Sequence, residues 1–172
     1  LHAQITNDLR GLRESAAVFA GYLSPKGRML ANFLVMKRGE DVLVMLPAAQ
    51  REAIQKRLSM FILRSKVKAR DASDEWVRLG LAGPDAAKLA GDALGTTLPD
   101  GIMGMAHTES AFVLRLGDDR FDLFVAPEAA QDMWHKLAAG AKPVGTPAWD
   151  WLLINAGIPA VLPATQDHFV PQ

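Results

Sequence analysis

The sequence predicts an α+β protein made of two related sheet-plus-helix, ferredoxin-like subdomains, and three observations carry that prediction. Short apolar runs are joined by turns that contain Pro and Gly, as at 24–27 and 117–120. Prolines 47 and 127 stand where a helix first turn tolerates a missing N–H. The order strand, proline, helix also occurs twice, as VLVMLPAAQREAIQKRL at 42–58 and FDLFVAPEAAQDMWHKL at 121–137. A period of about 80 residues is too long for a solenoid and fits two related units.

Taken in order, residues 1–12 carry the polar run Thr6-Asn7-Asp8, whose short side chains suit a cap or a helix end. Residues 16–23 and 29–36 read as two strands of a hairpin, and the turn Ser24-Pro25-Lys26-Gly27 between them has Pro second and Gly fourth. A third strand is expected at 42–46. The helix after Pro47 places Ile54, Leu58, Phe61 and Ile62 on one face. Arg64, Lys66, Lys68 and Arg70 alternate, so an extended backbone would set four cations on one face. That pattern fits a solvated edge strand and an anion-facing strand equally well.

Strands follow at 75–81, 102–107, 111–116 and 121–126, with a helix from about 84 to 94 that Gly95 stops and another from Pro127 to about 140. Thr146 and Pro147 are good N-cap and N1 residues for a last helix to Asn155, with Gly157 after it. Residues 158–172 are punctuated by proline, lack periodicity, and read as a connector. The first subdomain is expected to take 1–67 with 142–172, and the second 68–141. Because the chain opens on Leu1 and ends on Gln172 without capping signals, it reads as a piece of a longer protein.

Composition narrows the chemistry. With 172 residues, 49% of them hydrophobic, the chain can bury a core for one domain or two small ones. Lys+Arg and Asp+Glu are 19 each, so net charge gives no pull toward nucleic acid or an anionic membrane. Without cysteine there is no disulfide, thiolate metal site or cysteine nucleophile. No apolar run approaches the roughly 18 residues of a membrane span. His2, His107, His135 and His168 have no spacing that would set two metal ligands on one helix face, so no metal is expected. Nucleophile-elbow, phosphate-loop and dinucleotide-loop patterns are also missing. Asp118-Asp119 reads as turn residues.

Three features remain that would suit a planar, anionic ligand: the Lys26-Gly27-Arg28 turn, the alternating cations, and Trp149. Trp149 and Trp151 are two apart on a helix, so at most one is expected to face a given pocket. Both also fit core or subunit contacts.

The segments LHAQITND at 1–8, LSPKGRMLANFLV at 23–35, FILRSKVKARD at 61–71, LAGPDAAKL at 81–89 and INAGIPAVLPATQDHFVPQ at 154–172 carry a resemblance. Together they resemble the folate-binding YgfZ proteins, relatives of the aminomethyltransferase, or T-protein, of the glycine cleavage system. The resemblance implies three domains around a folate-binding opening, the first two being related α+β units and the third, a barrel domain, absent from this chain. It implies a tetrahydrofolate ligand and a cytoplasmic accessory role in assembly or repair of iron-sulfur enzymes, including those that modify tRNA.

By the same resemblance, Trp149 would stack on the pterin or benzoyl ring, and Arg28 and Asn32 would give polar contacts. From their charge alone, and not from the resemblance, Arg64 with Lys66 would attract the glutamate carboxylates. The T-protein keeps a pair of aspartates where this chain has Ala31-Asn32, and a carboxylate in the run that reads here Leu153-Ile154-Asn155-Ala156-Gly157. An amide does not ionise at neutral pH, so no catalytic residue is assigned and glycine-cleavage chemistry is not expected. A folate-dependent one-carbon transferase is the alternative, and an RNA-binding module using the cations at 64–70 is a second.

Overall fold

The computed structural model describes residues 1–62 and 66–171. Its contacts divide the chain into two compact units, the first Leu1–Arg13, Val18–Asp71 and Gly157–Gln172, the second Glu14–Ala17 and Ala72–Ala156.

In the first unit, β1 (Val18–Leu23), β2 (Met29–Arg38) and β3 (Asp41–Met45) form an antiparallel sheet in that order. The hairpin turn forms as its residues dictate. Gly27 N–H donates to the Ser24 carbonyl at 2.9 Å and Ser24 N–H to the Arg28 carbonyl at 2.8 Å, with Gly27 at φ 74°. In this register Tyr22 stands opposite Ala31 and Ala20 opposite Phe33. These residues and Val35 share the face that packs on Ile54 of α1 (Arg51–Ser59), which forms the unit's core. Because α1 ends at Ser59, Phe61 falls beyond the expected apolar face and is exposed.

The polar run near the N-terminus ties to β1 rather than capping a helix. Thr6 Oγ1 accepts from Gly21 N–H at 2.8 Å and Asn7 Nδ2 donates to the Phe19 carbonyl at 2.9 Å. The alternating cations do not form the expected strand over the described residues 66–70, which are exposed. No neighbouring strand supplies a ladder there among the described residues, and Arg70 turns to Asp41 at 3.7 Å. Arg64 lies outside the described residues.

The second unit contains β4 (Val77–Ala82), α2 (Ala86–Leu94), β5 (Met105–His107), β6 (Ala111–Gly117), β7 (Arg120–Val125), α3 (Pro127–Ala138) and α4 (Thr146–Asn155). Its sheet is antiparallel in the order β4-β7-β6-β5. Leu81, Val113, Phe121, Leu123 and Val125 pack on Ala86, Ala90, Met133 and Leu137 of α2 and α3. Gly95 ends α2 at φ 65°, and Pro127 opens α3. The strand expected from 102 begins only at Met105, since Met103 has φ 66° and breaks the extended run.

Further boundaries differ from the sequence reading. Gly145 is the N-cap of α4, so Thr146 is its first helical residue and makes no side-chain cap bond. Residues 68–71 cluster with the first unit and 14–17 with the second, and residues 142–156 also cluster with the second unit rather than the first. For 142–156 the cause is packing of Trp149 against Gly80 of β4, close enough that only glycine fits there.

Candidate functional site

Residues 157–171 are a fastened segment of the first unit. Asp167 N–H donates to the Met29 carbonyl and Met29 N–H to the Phe169 carbonyl, both at 2.7 Å. Arg28 Nη1 donates to the His168 carbonyl at 3.0 Å. Asn32 contributes both ends of its amide: Nδ2 donates to the Pro159 carbonyl and Oδ1 accepts from Val161 N–H, each at 2.7 Å. This explains why an amide stands at residue 32, because a carboxylate there has no proton to donate. Its neighbour Ala31 points to the opposite face and is 0% exposed in the core against α1. An acid at residue 31 would bury a charge. The hairpin thus places Arg28 and Asn32 on one strap of chain and offers no carboxylate at 31 or 32.

Trp149 lies in the second unit, and its position is set by a strand glycine. A Cβ built on Gly80 would come within 2.7 Å of Cε3 and Cζ3 of the indole, so the ring rests on bare backbone. It forms part of a cleft of about 700 Å³ lined also by Trp134, Trp151, Leu89, Pro143 and Lys142. Clefts of about 300–1,000 Å³, mainly apolar with a few polar groups, are the usual size for small ligands. Contrary to the expectation that only one of them would face a pocket, Trp149 and Trp151 both line it. At about 100° per residue the two indoles flank the helix face of Ala148 and Leu152, leaving about 160° between them. Trp151 is 63% exposed, which leaves its ring free on one side.

Sequence reasoning passed over a second feature of this unit. Asp122 sits in the middle of β7 between Phe121 and Leu123, and it is 0% exposed. Its Oδ2 accepts from Arg78 Nη2 of β4 at 2.7 Å, while Oδ1 meets no donor. Burial pushes the carboxyl above the ordinary carboxylate range, and the charge and hydrogen bond of Arg78 oppose that rise. The signal was available in FDLFV, where one acid interrupts an apolar strand.

Lys66 is exposed on the first unit. Among the described residues no group of three or more His, Asp or Glu side chains is arranged to hold a metal ion. No helix there is long and apolar enough to cross a membrane.

Comparison with known proteins agrees with this architecture. The family model for the GCVT N-terminal domain matches residues 1–172. The chain is 32% identical to an aminomethyltransferase of Rubrobacter xylanophilus, over 92% of this chain and 45% of that protein. It is 28% identical to a "tRNA-modifying protein YgfZ" of Sodalis glossinidius, over 100% of this chain and 52% of that one. The chain therefore spans about half the length of the curated relatives it matches. The solved structure of the glycine cleavage system aminomethyltransferase T from Bartonella henselae superposes with a TM-score of 0.63 at 21% identity, covering 80% of this chain and 39% of that one. That likeness speaks for the fold, two α+β units in which the strands among the described residues form no closed barrel. The match along its full length shows that the chain belongs to the GCVT N-terminal domain family, among relatives that include both YgfZ proteins and aminomethyltransferases.

Proposed function

We propose that the chain is the folate-binding part of a YgfZ-type accessory protein, with tetrahydrofolate or a derivative as ligand and a role in supporting iron-sulfur enzymes, including those that modify tRNA. The observation that carries the reading is Trp149, an indole fixed on Gly80 and lining a ligand-sized cleft. An aromatic face fixed in this way offers stacking area for a planar heterocycle at low entropic cost. Bound folate would supply the one-carbon carrier and its pterin ring. The chain's own residues would hold it: Trp149 by stacking, Arg28 through guanidinium N–H groups beyond the one given to His168, and Asn32 through its second amide proton. Arg64 and Lys66 would attract the glutamate carboxylates through their charge.

The accessory role is favoured over catalysis by the hairpin, whose residue 31 is a core alanine and whose residue 32 is an amide already engaged by residues 159 and 161. Folate-dependent one-carbon transfer stands as the second reading because an aminomethyltransferase is among the relatives at 32% identity. The RNA-binding alternative loses its motive, since the described part of the basic run forms no strand to align its cations.

The test is a fluorescence titration of the full chain with folinic acid. Quenching that saturates, and that Trp149→Phe removes, supports the site, whereas no quenching and no thermal shift would end the folate reading. Sustained aminomethyl or methyl transfer to tetrahydrofolate would move the assignment to the transferase.

A further inference from the structure

The Arg78–Asp122 pair is not used by the reading above, and as a stabilising device it is poorly made. A buried ion pair offsets its desolvation only when its remaining hydrogen-bonding groups are satisfied. Here one carboxylate oxygen is left without a donor in a fully buried residue. An unsatisfied buried group in a native fold calls for another reason to be retained.

The register of the sheet supplies one. Gly80 stands opposite Asp122, and Ala82 opposite Arg120. Alternation along the strands therefore puts Arg78, Gly80 and Ala82 of β4 on the same face as Arg120 and Asp122 of β7. That face is the one on which Trp149 lies, because the Cβ position of Gly80 points at its ring. Arg78 is two residues from Gly80, about 7 Å along the strand. Its side chain is 38% exposed, and its hydrogen bond to Asp122 uses one of five donors. Arg120 adds a second guanidinium, with its Nε buried and lacking an acceptor. The Arg78 guanidinium thus stands on the same sheet face as a flat indole that rests on a glycine floor.

We infer that Arg78 is an anion anchor of the Trp149 site, held in place by Asp122 and taking a carboxylate of the aromatic ligand that Trp149 stacks against. If the proposed function is right, that group is a glutamate carboxylate of folate, so this inference rests on the folate reading. Asp122 acts through Arg78 and is a positioning residue. A carboxylate fixes one edge of the planar guanidinium and leaves the other N–H groups as a fork that matches a second carboxylate. Lysine in the same place would keep the charge and lose the fork.

The experiment compares folinic acid with its diamide, in which both glutamate carboxylates are neutral, by titration calorimetry on the full chain. The wild type is expected to bind folinic acid at least about tenfold more tightly than the diamide, the scale of one charge-assisted fork. Arg78→Ala should lose most of that preference, keeping only the weaker, salt-screened pull of Arg64 and Lys66 on the carboxylates. Arg78→Lys should fall between, and it also serves should the alanine variant fail to fold. Asp122→Asn should lose discrimination in the same direction without weakening the diamide, which a purely structural role would not produce. A wild type that does not discriminate, or an Arg78→Ala or Arg78→Lys variant that discriminates as fully as the wild type, overturns the anchor while the folate reading stands. A wild type that binds neither compound overturns both.

Discussion

The indole of Trp149 occupies the space that any side chain at Gly80 would need: a Cβ there would stand 2.7 Å from Cε3 and 2.8 Å from Cδ2 of the ring. Such a separation is far inside van der Waals contact, and the ring is too rigid to yield locally. Gly80→Ala is therefore expected to displace Trp149 or bend β4, costing about 1–3 kcal/mol as an overpacking change. Urea denaturation measures the loss, and the tryptophan emission should shift with it. Unaltered stability and emission would show that the ring has room to move and is not fixed by the glycine.

A second prediction concerns Asn32. Asn32→Asp keeps the shape but removes the donor to the Pro159 carbonyl, setting two acceptors at the 2.7 Å now spanned by a hydrogen bond. Breaking that partnership should cost about 1–3 kcal/mol. It should also loosen residues 157–162, read as faster proteolysis there, and it should not confer aminomethyl transfer. If Asn32→Asp were as stable and as protected as the wild type, the amide would not be the fastening described.

The hairpin shows how much of this was legible beforehand. Pro25 and Gly27 act within four residues, so the turn and both strands follow from local chemistry, as do the starts and stops at Pro127 and Gly95. What escaped was set at long range. Apart from one short turn at Pro163–Thr165, the segment 158–171 is held by backbone bonds to Met29 and Asn32, more than 120 residues away, which leave no periodicity to read. The alternation of Lys66, Lys68 and Arg70 looked like a strand face, yet alternation makes a strand only where a neighbour supplies the ladder. Trp149 was singled out from the sequence, but its support was not, since Gly80 reads as an ordinary strand glycine until α4 is seen lying on it. Asp122 carried a signal in its apolar surroundings, while its partner Arg78 is 44 residues earlier and only the β4–β7 register connects them.

Gly27 gives a third and simpler expectation. Its φ of 74° lies in the left-handed region, and a Cβ there would meet nothing within 4 Å. The penalty for substitution is thus conformational alone. Gly27→Ala should cost about 1 kcal/mol and Gly27→Asn less, with a β-branched Gly27→Val costing most. Thermal or urea unfolding of the three variants gives the order. Equal stabilities would mean the turn relaxes to another type.

The last prediction follows from the burial of Asp122. Desolvation raises its carboxyl above the ordinary value of 3.8, and Arg78 pulls it partly back. Between 3.8 and the raised folded value, the native state keeps a proton that the unfolded chain has released. Stability from this group is therefore fully present below the unfolded pKa and is lost as pH rises through the folded one. Exposed acids with lowered pKa values, such as Asp8 beside Arg10, run the other way in every variant and cancel on subtraction. Hence the unfolding free energy of the wild type minus that of Asp122→Asn should grow as pH falls through the folded pKa, and level off below about 3.8. In Arg78→Ala the opposing charge is gone, so the window should reach to higher pH than in the wild type. Urea unfolding over a pH series on the three proteins reads both effects. A difference that is flat with pH, or that shrinks toward acid, would mean that Asp122 is not held in the desolvated site that its burial and its lone partner describe.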